Sequence, residues 1–491
     1  MSDTLLDGRD DRFDRARRKV GIWLGPLVGL GLLLAPTGLE APAHRLLAVT
    51  GLVMTWWVSE AIPLAVTALL APTLAVLLGV APARSAFAAF GDPVIFLFLG
   101  SFLIAEALSV HGLDRRIALA ILSRESVARS PLRMRLAVGF VTAALSMWIS
   151  NTATTAMMLP IVLGLLRAFE AAGSKEPPRG MLLILTVSAS LGGLATPVGT
   201  PPNLIGLGFL ERVAGRSIDF LSFMAMGVPL ALALMGVLFV VVLKLVPPAR
   251  ATDLRAYVRQ ERAALPEWGE GQSACATAFG LAVFLWLLPG LTTLLGASAP
   301  SPLLALAGVL DESVVALLAA AVLFVWPVGQ GRALNWGHAA NIDWGTLMLF
   351  GGGLSLGKLM FDTGLAKTLG QAALRATGVE SLWGLTALVL LATIVLTETT
   401  SNAATVNMLA PLVLSLAQEL GVAQTPPLLA VCFGASMAFM FPMGTPPNAI
   451  VYGTGLVPLT SMMKVGLIVD ALSYFVILAM LWLLCPLLGL A

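Results

Sequence analysis

Two constellations of small polar residues occur twice in this chain, each time inside strongly apolar sequence. Ser150-Asn151-Thr152 is followed, 48 residues after Asn151, by Gly199-Thr200-Pro201-Pro202-Asn203. Ser401-Asn402-Ala403 is followed, 42 residues after Asn402, by Gly444-Thr445-Pro446-Pro447-Asn448. Amide and hydroxyl groups can donate to a carboxylate or offer oxygens to a hard cation. Each proline pair removes two backbone donors and ends the helix before it, and each glycine lets the chain turn. Carbonyls freed in this way suit a sodium ion, and the N-terminus of the next half-helix suits an anion. No lysine or arginine stands within these motifs. An anion held here therefore needs neutral donors and co-bound cations, because burying it uncompensated is very costly.

The elements that must position these groups are membrane helices. Of 491 residues, 58% are hydrophobic and 11% charged, with a net charge of +2, against about 25% charged in a soluble domain. The mean hydropathy is +0.92. The apolar runs are continuous, unlike the roughly ten-residue alternation of an outer-membrane barrel. The pattern predicts an all-α polytopic membrane protein with about 11 transmembrane helices, two re-entrant helical hairpins and broken helices at the Gly-Thr-Pro-Pro-Asn loops. Residues 1–19 form an N-terminal segment and 20–38 a retained first helix. A first repeat spans 44–246, with a hairpin over 132–171 and a broken helix over 181–209. A charged linker follows at 247–272. A second repeat spans 273–491, with a hairpin over 382–418 and a broken helix over 427–455. Single apolar segments are expected at 303–326 and 343–361, and amphipathic surface segments at 113–130 and 365–378. The two halves align at offsets of 245 to 252 residues. Duplicated helix-breaking segments at matching positions point to a transporter's binding site.

Charge bias sets orientation. Arg9, Arg12, Arg15, Arg17, Arg18 and Lys19 precede the first helix; Arg115, Arg116, Arg124, Arg129, Arg133 and Arg135 precede the first hairpin. Arg250, Arg255, Arg259 and Arg262 lie in the linker. Placing all three clusters in the cytoplasm leaves the C-terminus outside and makes the repeats inverted. The arginine excess, 23 against 6 lysines, points to a bacterium and hence to its inner (cytoplasmic) membrane. Cys275, Cys432 and Cys485 suggest neither disulfides nor a metal site. Glu398 is expected to pair or hydrogen-bond structurally, Lys358 and Glu106 to form structural salt bridges, and Glu60 to lie at the interface.

The chain resembles the divalent anion/sodium symporter family, which carries dicarboxylates, citrate or sulfate. The resemblance rests on Ser146-Met147-Trp148-Ile149-Ser150-Asn151-Thr152-Ala153-Thr154, on Thr397-Glu398-Thr399-Thr400-Ser401-Asn402, and on both Gly-Thr-Pro-Pro-Asn loops. It extends over about residues 20–488. It implies one sodium site at Ser146, Ser150, Asn151 and Gly199, and a second at Thr397, Thr400, Asn402 and Gly444, several through backbone carbonyls. It implies a substrate site at Asn151, Thr152, Thr200, Ser401, Asn402, Thr445 and Pro446. It further implies a homodimer in which a transport domain moves as an elevator against a scaffold. Ala403 departs from the family's Ser-Asn-Thr pattern and removes one hydroxyl from the substrate side, which predicts altered preference or weaker affinity for one carboxylate.

The expected function is sodium-coupled import of a C4 dicarboxylate such as succinate, malate or fumarate. Alternatives on the same fold are a citrate or sulfate symporter and a sodium-independent dicarboxylate exchanger. Sodium ions are the expected co-transported partners, with no organic cofactor and no nucleic acid. An intramembrane enzyme is disfavoured by the lack of HExxH, GxSxG or a clustered His-Asp-Glu set. A channel is disfavoured because filters are usually built by oligomeric symmetry.

Overall fold

The computed structural model of the protein describes residues 7–174, 176–249, 254–296 and 300–490. Residues 1–6 of the expected N-terminal segment, and Arg250 of the linker cluster, lie outside them. The described chain is helical apart from a two-residue pairing of Pro327–Val328 with Gly331–Arg332. Among the described residues, six helices are long and apolar enough to cross a membrane by length and composition. Their outer faces leave large apolar side chains exposed, among them Leu232 at 55%, Phe284 at 56% and Phe475 at 66%. Such a belt is stable against lipid and not against water. The protein is a multi-pass helical membrane protein.

A pair of helices stands at each Ser-Asn motif. Pro131–Ser146 turns through four residues into Asn151–Ala171, and Leu382–Thr397 turns through four into Asn402–Leu420. Both expected broken helices form as well. Pro178–Gly193 stops and resumes as Pro201–Phe209; Thr425–Gly434 stops and resumes as Pro446–Tyr452. In each the resumed helix begins on the first proline of the Pro-Pro pair, where a missing N–H costs nothing. The amphipathic segments appear as Leu113–Leu122 with Glu125–Ala128, and as Leu365–Thr377. The last of these meets the second hairpin at 97°.

The single segment expected at 303–326 is instead two helices, Ser301–Ala307 and Glu312–Val325. Asp311 starts the second: its carboxylate caps that helix by accepting from Ser313 N at 2.8 Å. Arg135 also departs from expectation. It is fully buried, paired with Glu176, and donates to the Val246 and Pro247 carbonyls. Glu176 in turn accepts from Ala249 N at 2.7 Å. The pair thus staples the start of the first hairpin to the end of helix Phe220–Leu245 and to the linker.

The halves pack through each other. Helix Pro93–Val110 lies on Glu312–Val325, and Leu64–Leu77 lies on Trp344–Asp362. Both crossings are closed by a glycine. A Cβ on Gly100 would stand 2.5 Å from the Ala316 carbonyl carbon, and one on Gly352 would stand 2.2 Å from Ala68 O. Small residues let membrane helices approach this closely. Gly100 and Gly352 are 252 residues apart, the offset at which the two halves align around them.

Linker helix Arg255–Ala263 docks on the amphipathic segment through Arg115–Glu261 at 3.5 Å and Arg259–Glu125 at 2.7 Å. The second and third basic clusters therefore share one face of the molecule.

Candidate ion and substrate site

The two hairpin tips and the two helix breaks open on one cavity of about 1170 Å³. Its wall contains Asn151, Thr152, Thr200, Ser401, Asn402, Thr445 and Pro446, all seven residues expected to meet substrate. Ser150, Gly199 and Gly444 line it too, whereas Ser146, Thr397 and Thr400 are buried behind it. Helices Asn151–Ala171, Pro201–Phe209, Asn402–Leu420 and Pro446–Tyr452 all begin at this wall. Each N-terminus carries roughly half a positive charge. Four of them supply the positive potential that the motif side chains lack.

The two hairpin tips are built alike. Ser146 Oγ donates to Asn151 Oδ1 at 2.8 Å, and the equivalent Thr397 Oγ1 lies 2.9 Å from Asn402 Oδ1. Engaging each amide oxygen in this way leaves the amide NH2 for the cavity. The Thr397 hydroxyl is also 2.7 Å from the Ala435 carbonyl. One hydroxyl proton cannot serve both acceptors, so an oxygen-rich point remains beside Asn402. The Thr400 hydroxyl is occupied elsewhere, 2.9 Å from Leu396 O and 2.7 Å from Thr405 Oγ1. Any contribution of Thr400 to a cation site is left to its carbonyl.

The helix breaks are also built alike. Asn203 Nδ2 donates to Gly193 O at 3.0 Å and Thr196 O at 2.8 Å. Asn448 Nδ2 donates to Ala438 O at 2.9 Å and Phe441 O at 3.0 Å. Every partner recurs at an offset of 245 residues. The last residue of each Gly-Thr-Pro-Pro-Asn motif therefore satisfies carbonyls that the unwound backbone would otherwise bury unpaired. Thr196 Oγ1 donates to Met147 O at 2.5 Å and so ties the first break to the first hairpin tip.

Gly193, which carries no motif, stands between two of the residues expected to hold the first sodium ion. A Cβ there would sit 2.7 Å from Asn151 Oδ1 and 3.1 Å from Gly199 O. Two expected ligands thus converge on the space that this glycine leaves open. In the second half a Cβ on Gly444 would lie 3.4 Å from Ala438 O and 3.6 Å from Glu398 O. Glu398 itself accepts from Phe439 N at 2.9 Å and Met440 N at 3.1 Å, the structural role expected of it.

The cavity also takes in Glu60, Glu106, Asp343 and Arg18. Glu60 pairs with Arg17 at 3.2 Å and Arg18 at 3.7 Å. Arg17 Nη1 also donates to Thr399 O at 3.2 Å, which ties the N-terminal helix to the second hairpin tip. Lys358 pairs with Asp362 on its own helix. The three cysteines are buried and free.

A bundle whose duplicated helix breaks face one midchain cavity defines a class of membrane transporter, and comparison with known proteins gives the family. Residues 20–490 match the sodium:sulfate symporter transmembrane region, and the chain belongs to that family. An uncharacterized transporter of Haemophilus influenzae is 34% identical over 472 residues, covering 95% of this chain and 97% of its own. The sodium-dependent dicarboxylate transporter SdcS of Staphylococcus saprophyticus is 32% identical over 499 residues, covering 95% and 91%. Its Staphylococcus aureus counterpart is 30% identical over 495 residues, covering 96% and 92%. Two solved structures share the fold. Neisseria gonorrhoeae MtrF has a TM-score of 0.56 at 14% identity, covering 81% of each chain. The Alcanivorax borkumensis YdaH transporter has a TM-score of 0.51 at 18% identity, covering 82% and 86%.

Proposed function

We propose that the protein imports a C4 dicarboxylate such as succinate, malate or fumarate, driven by sodium. The observation that carries this reading is the single cavity onto which both hairpin tips and both helix breaks open. One carboxylate meets Asn151, Thr152 and Thr200. The other meets Ser401, Asn402, Thr445 and Pro446. One sodium ion sits among Ser146, Ser150, Asn151 and Gly199, and a second among Thr397, Thr400, Asn402 and Gly444. Each ion shares an asparagine with the substrate: Oδ1 faces the ion and the amide NH2 faces the carboxylate. Sodium binding therefore fixes the donor that the anion needs, and the coupling follows from that shared side chain. The sodium-dependent dicarboxylate transporters among the relatives support this substrate class.

The reciprocal glycine crossings support inverted repeats bounded at 44–246 and 273–491. The two hairpins are re-entrant, and with the broken helices they form a transport domain that moves as an elevator within a homodimer. Their setting is a bacterial inner membrane, with the basic face cytoplasmic and the C-terminus outside. With more than two sodium ions per dianion, each net charge moved inward would add about 2.3 kcal/mol per 100 mV. The test is labelled succinate uptake into proteoliposomes with citrate, sulfate and malate as competitors. Competition by malate alone supports a C4 site. Equal competition by sulfate would replace it with a sulfate site, and a requirement for internal dicarboxylate without sodium would replace symport with exchange.

A further inference from the structure

We propose that Arg17 and Glu60 form a clasp that holds the second hairpin tip against the N-terminal helix and must open in every transport cycle. The proposal deepens the symporter reading and rests on it. Arg17 stands on helix Asp7–Leu34. Its Nη1 donates to the Thr399 carbonyl at 3.2 Å, and its Nη2 lies 3.2 Å from Glu60 Oε2. The two side chains are 15% and 28% exposed, so water screens this charged contact only in part. Thr399 lies in the four-residue turn of the second hairpin, just before Ser401 and Asn402 on the cavity wall. Arg18 reaches the same Glu60 oxygen at 3.7 Å, and both Arg18 and Glu60 line the cavity. The clasp therefore sits at the cavity rim. Glu60 is held there in a left-handed backbone conformation, φ 47° and ψ 36°, the one positive φ of a non-glycine among the described residues. Such a conformation persists where the surroundings over-determine it. Glycine would adopt it without strain, and the carboxylate is what glycine would lose.

The frame that carries the clasp is one packed unit. A Cβ on Gly21 would collide with Ser59 Oγ and one on Gly25 with the Trp56 indole, whose Nε1 donates to Gly21 O at 3.0 Å. Helices Asp7–Leu34 and Ala41–Ser59 thus hold Arg17, Arg18 and Glu60 together, while Thr399 belongs to the other half of the chain. The first hairpin tip is pinned differently at the equivalent position. Trp148 precedes Thr399 by 251 residues, the offset that relates Asn151 to Asn402. Its ring stacks on Phe220 at 6.2 Å, and Phe220 stacks on Trp286 at 4.9 Å, each at 10° between planes. Trp148 also meets Phe279 edge-on at 5.2 Å. Both tips are therefore fastened at the same point to a helix outside their hairpins, the first by apolar stacking and the second by a guanidinium. A charged contact at a wet rim can be exchanged for water at small net cost, which packed rings cannot. Alternating access requires the cavity to close on one side and open on the other. The tip bearing Ser401 and Asn402 must then leave the N-terminal helix, and Glu60 keeps Arg17 paired while the Thr399 carbonyl is away.

The test joins Arg17→Cys to Thr399→Cys in one protein with a reducible bis-methanethiosulfonate linker, applied in detergent before reconstitution into proteoliposomes. The three native cysteines are buried, and each single variant treated with the linker controls for them. The unjoined double variant is expected to take up labelled succinate with sodium. Joining should cut uptake by about tenfold or more, because one of the two states is removed. Reductant should restore it, and succinate should still raise the unfolding temperature of the joined protein. Joined protein that transports as fast as unjoined protein would overturn the clasp while leaving the symporter intact. Failure of the linker to join the two positions would overturn it too. Arg17→Ala opens the clasp without a reagent. If that variant and the unjoined double variant were both folded and inactive, the contact would be needed throughout the cycle and the clasp would be wrong. Wild-type uptake indifferent to sodium would sink the symporter reading, and the effect of joining on the remaining uptake would then decide the clasp by itself. Should sulfate or citrate prove to be the anion carried, the same comparison is read on that anion.

Discussion

Gly193 lets two oxygens from distant segments, Asn151 Oδ1 and Gly199 O, occupy the place where a side chain would stand. Gly193→Ala should fill that place and weaken sodium coupling at the first locus. The half-saturating sodium concentration for uptake is expected to rise at least tenfold, about 1.4 kcal/mol, with the fold retained in size-exclusion chromatography. An unchanged sodium dependence would remove Gly193 from the site. Ala403 lines the opposite side, where its partner by repeat, Thr152, carries a hydroxyl. Ala403→Thr should tighten dicarboxylate binding by one hydrogen bond, on the order of 1 kcal/mol. Identical competition profiles for succinate, citrate and sulfate would deny Ala403 any part in selectivity. At this scale the motif residues were legible because polar groups and Pro-Pro pairs are conspicuous in apolar sequence. Gly193 and the Asn203 and Asn448 carbonyl contacts were not, since each acts through an approach between segments that sequence does not place together.

The first hairpin, the end of helix Phe220–Leu245 and the linker meet at the Arg135–Glu176 pair. Breaking one side of a buried pair strands the other charge. Arg135→Met should cost about 3–5 kcal/mol of stability, and replacing both partners by methionine should recover much of it. Thermal unfolding in detergent reads both; equal loss in the single and double variants would mean that the residues matter separately. Beside the linker, burial raises the Asp114 carboxyl above the ordinary aspartate range, against the backbone amide of Arg115 that lowers it. A raised pKa means that the folded state holds the proton more tightly. Its contribution to stability is full below the unfolded pKa and is lost as pH rises through the folded one. Asp114→Asn should therefore raise the unfolding temperature at neutral pH, and the gain should vanish as pH falls to the ordinary aspartate range. A gain independent of pH would contradict this. Element boundaries were legible where glycine and proline punctuate the chain, as at Pro201 and Pro446. The break before Glu312 was missed because Asp311 acts by capping the start of the second helix, and a short polar step in an apolar run gives a weak signal.

Across the molecule, the crossings Gly100–Ala316 and Gly352–Ala68 interlock the halves. Together with the paired asparagine contacts at a constant offset, they make the two hairpin tips and helix breaks near-copies of each other around one cavity. The repeat was readable from motif spacing, but its interlocking was not, because an offset says nothing of which helix lies on which. The proposed account needs both halves to act at once: two sodium loci, one anion, and an asparagine shared between each ion and the substrate. The most direct measurement is labelled succinate uptake into proteoliposomes of the purified protein, with and without an inward sodium gradient. The account predicts accumulation only with the gradient, abolished in both Asn151→Ala and Asn402→Ala. Uptake of equal rate and extent without sodium, in vesicles shown to be sealed, would contradict it.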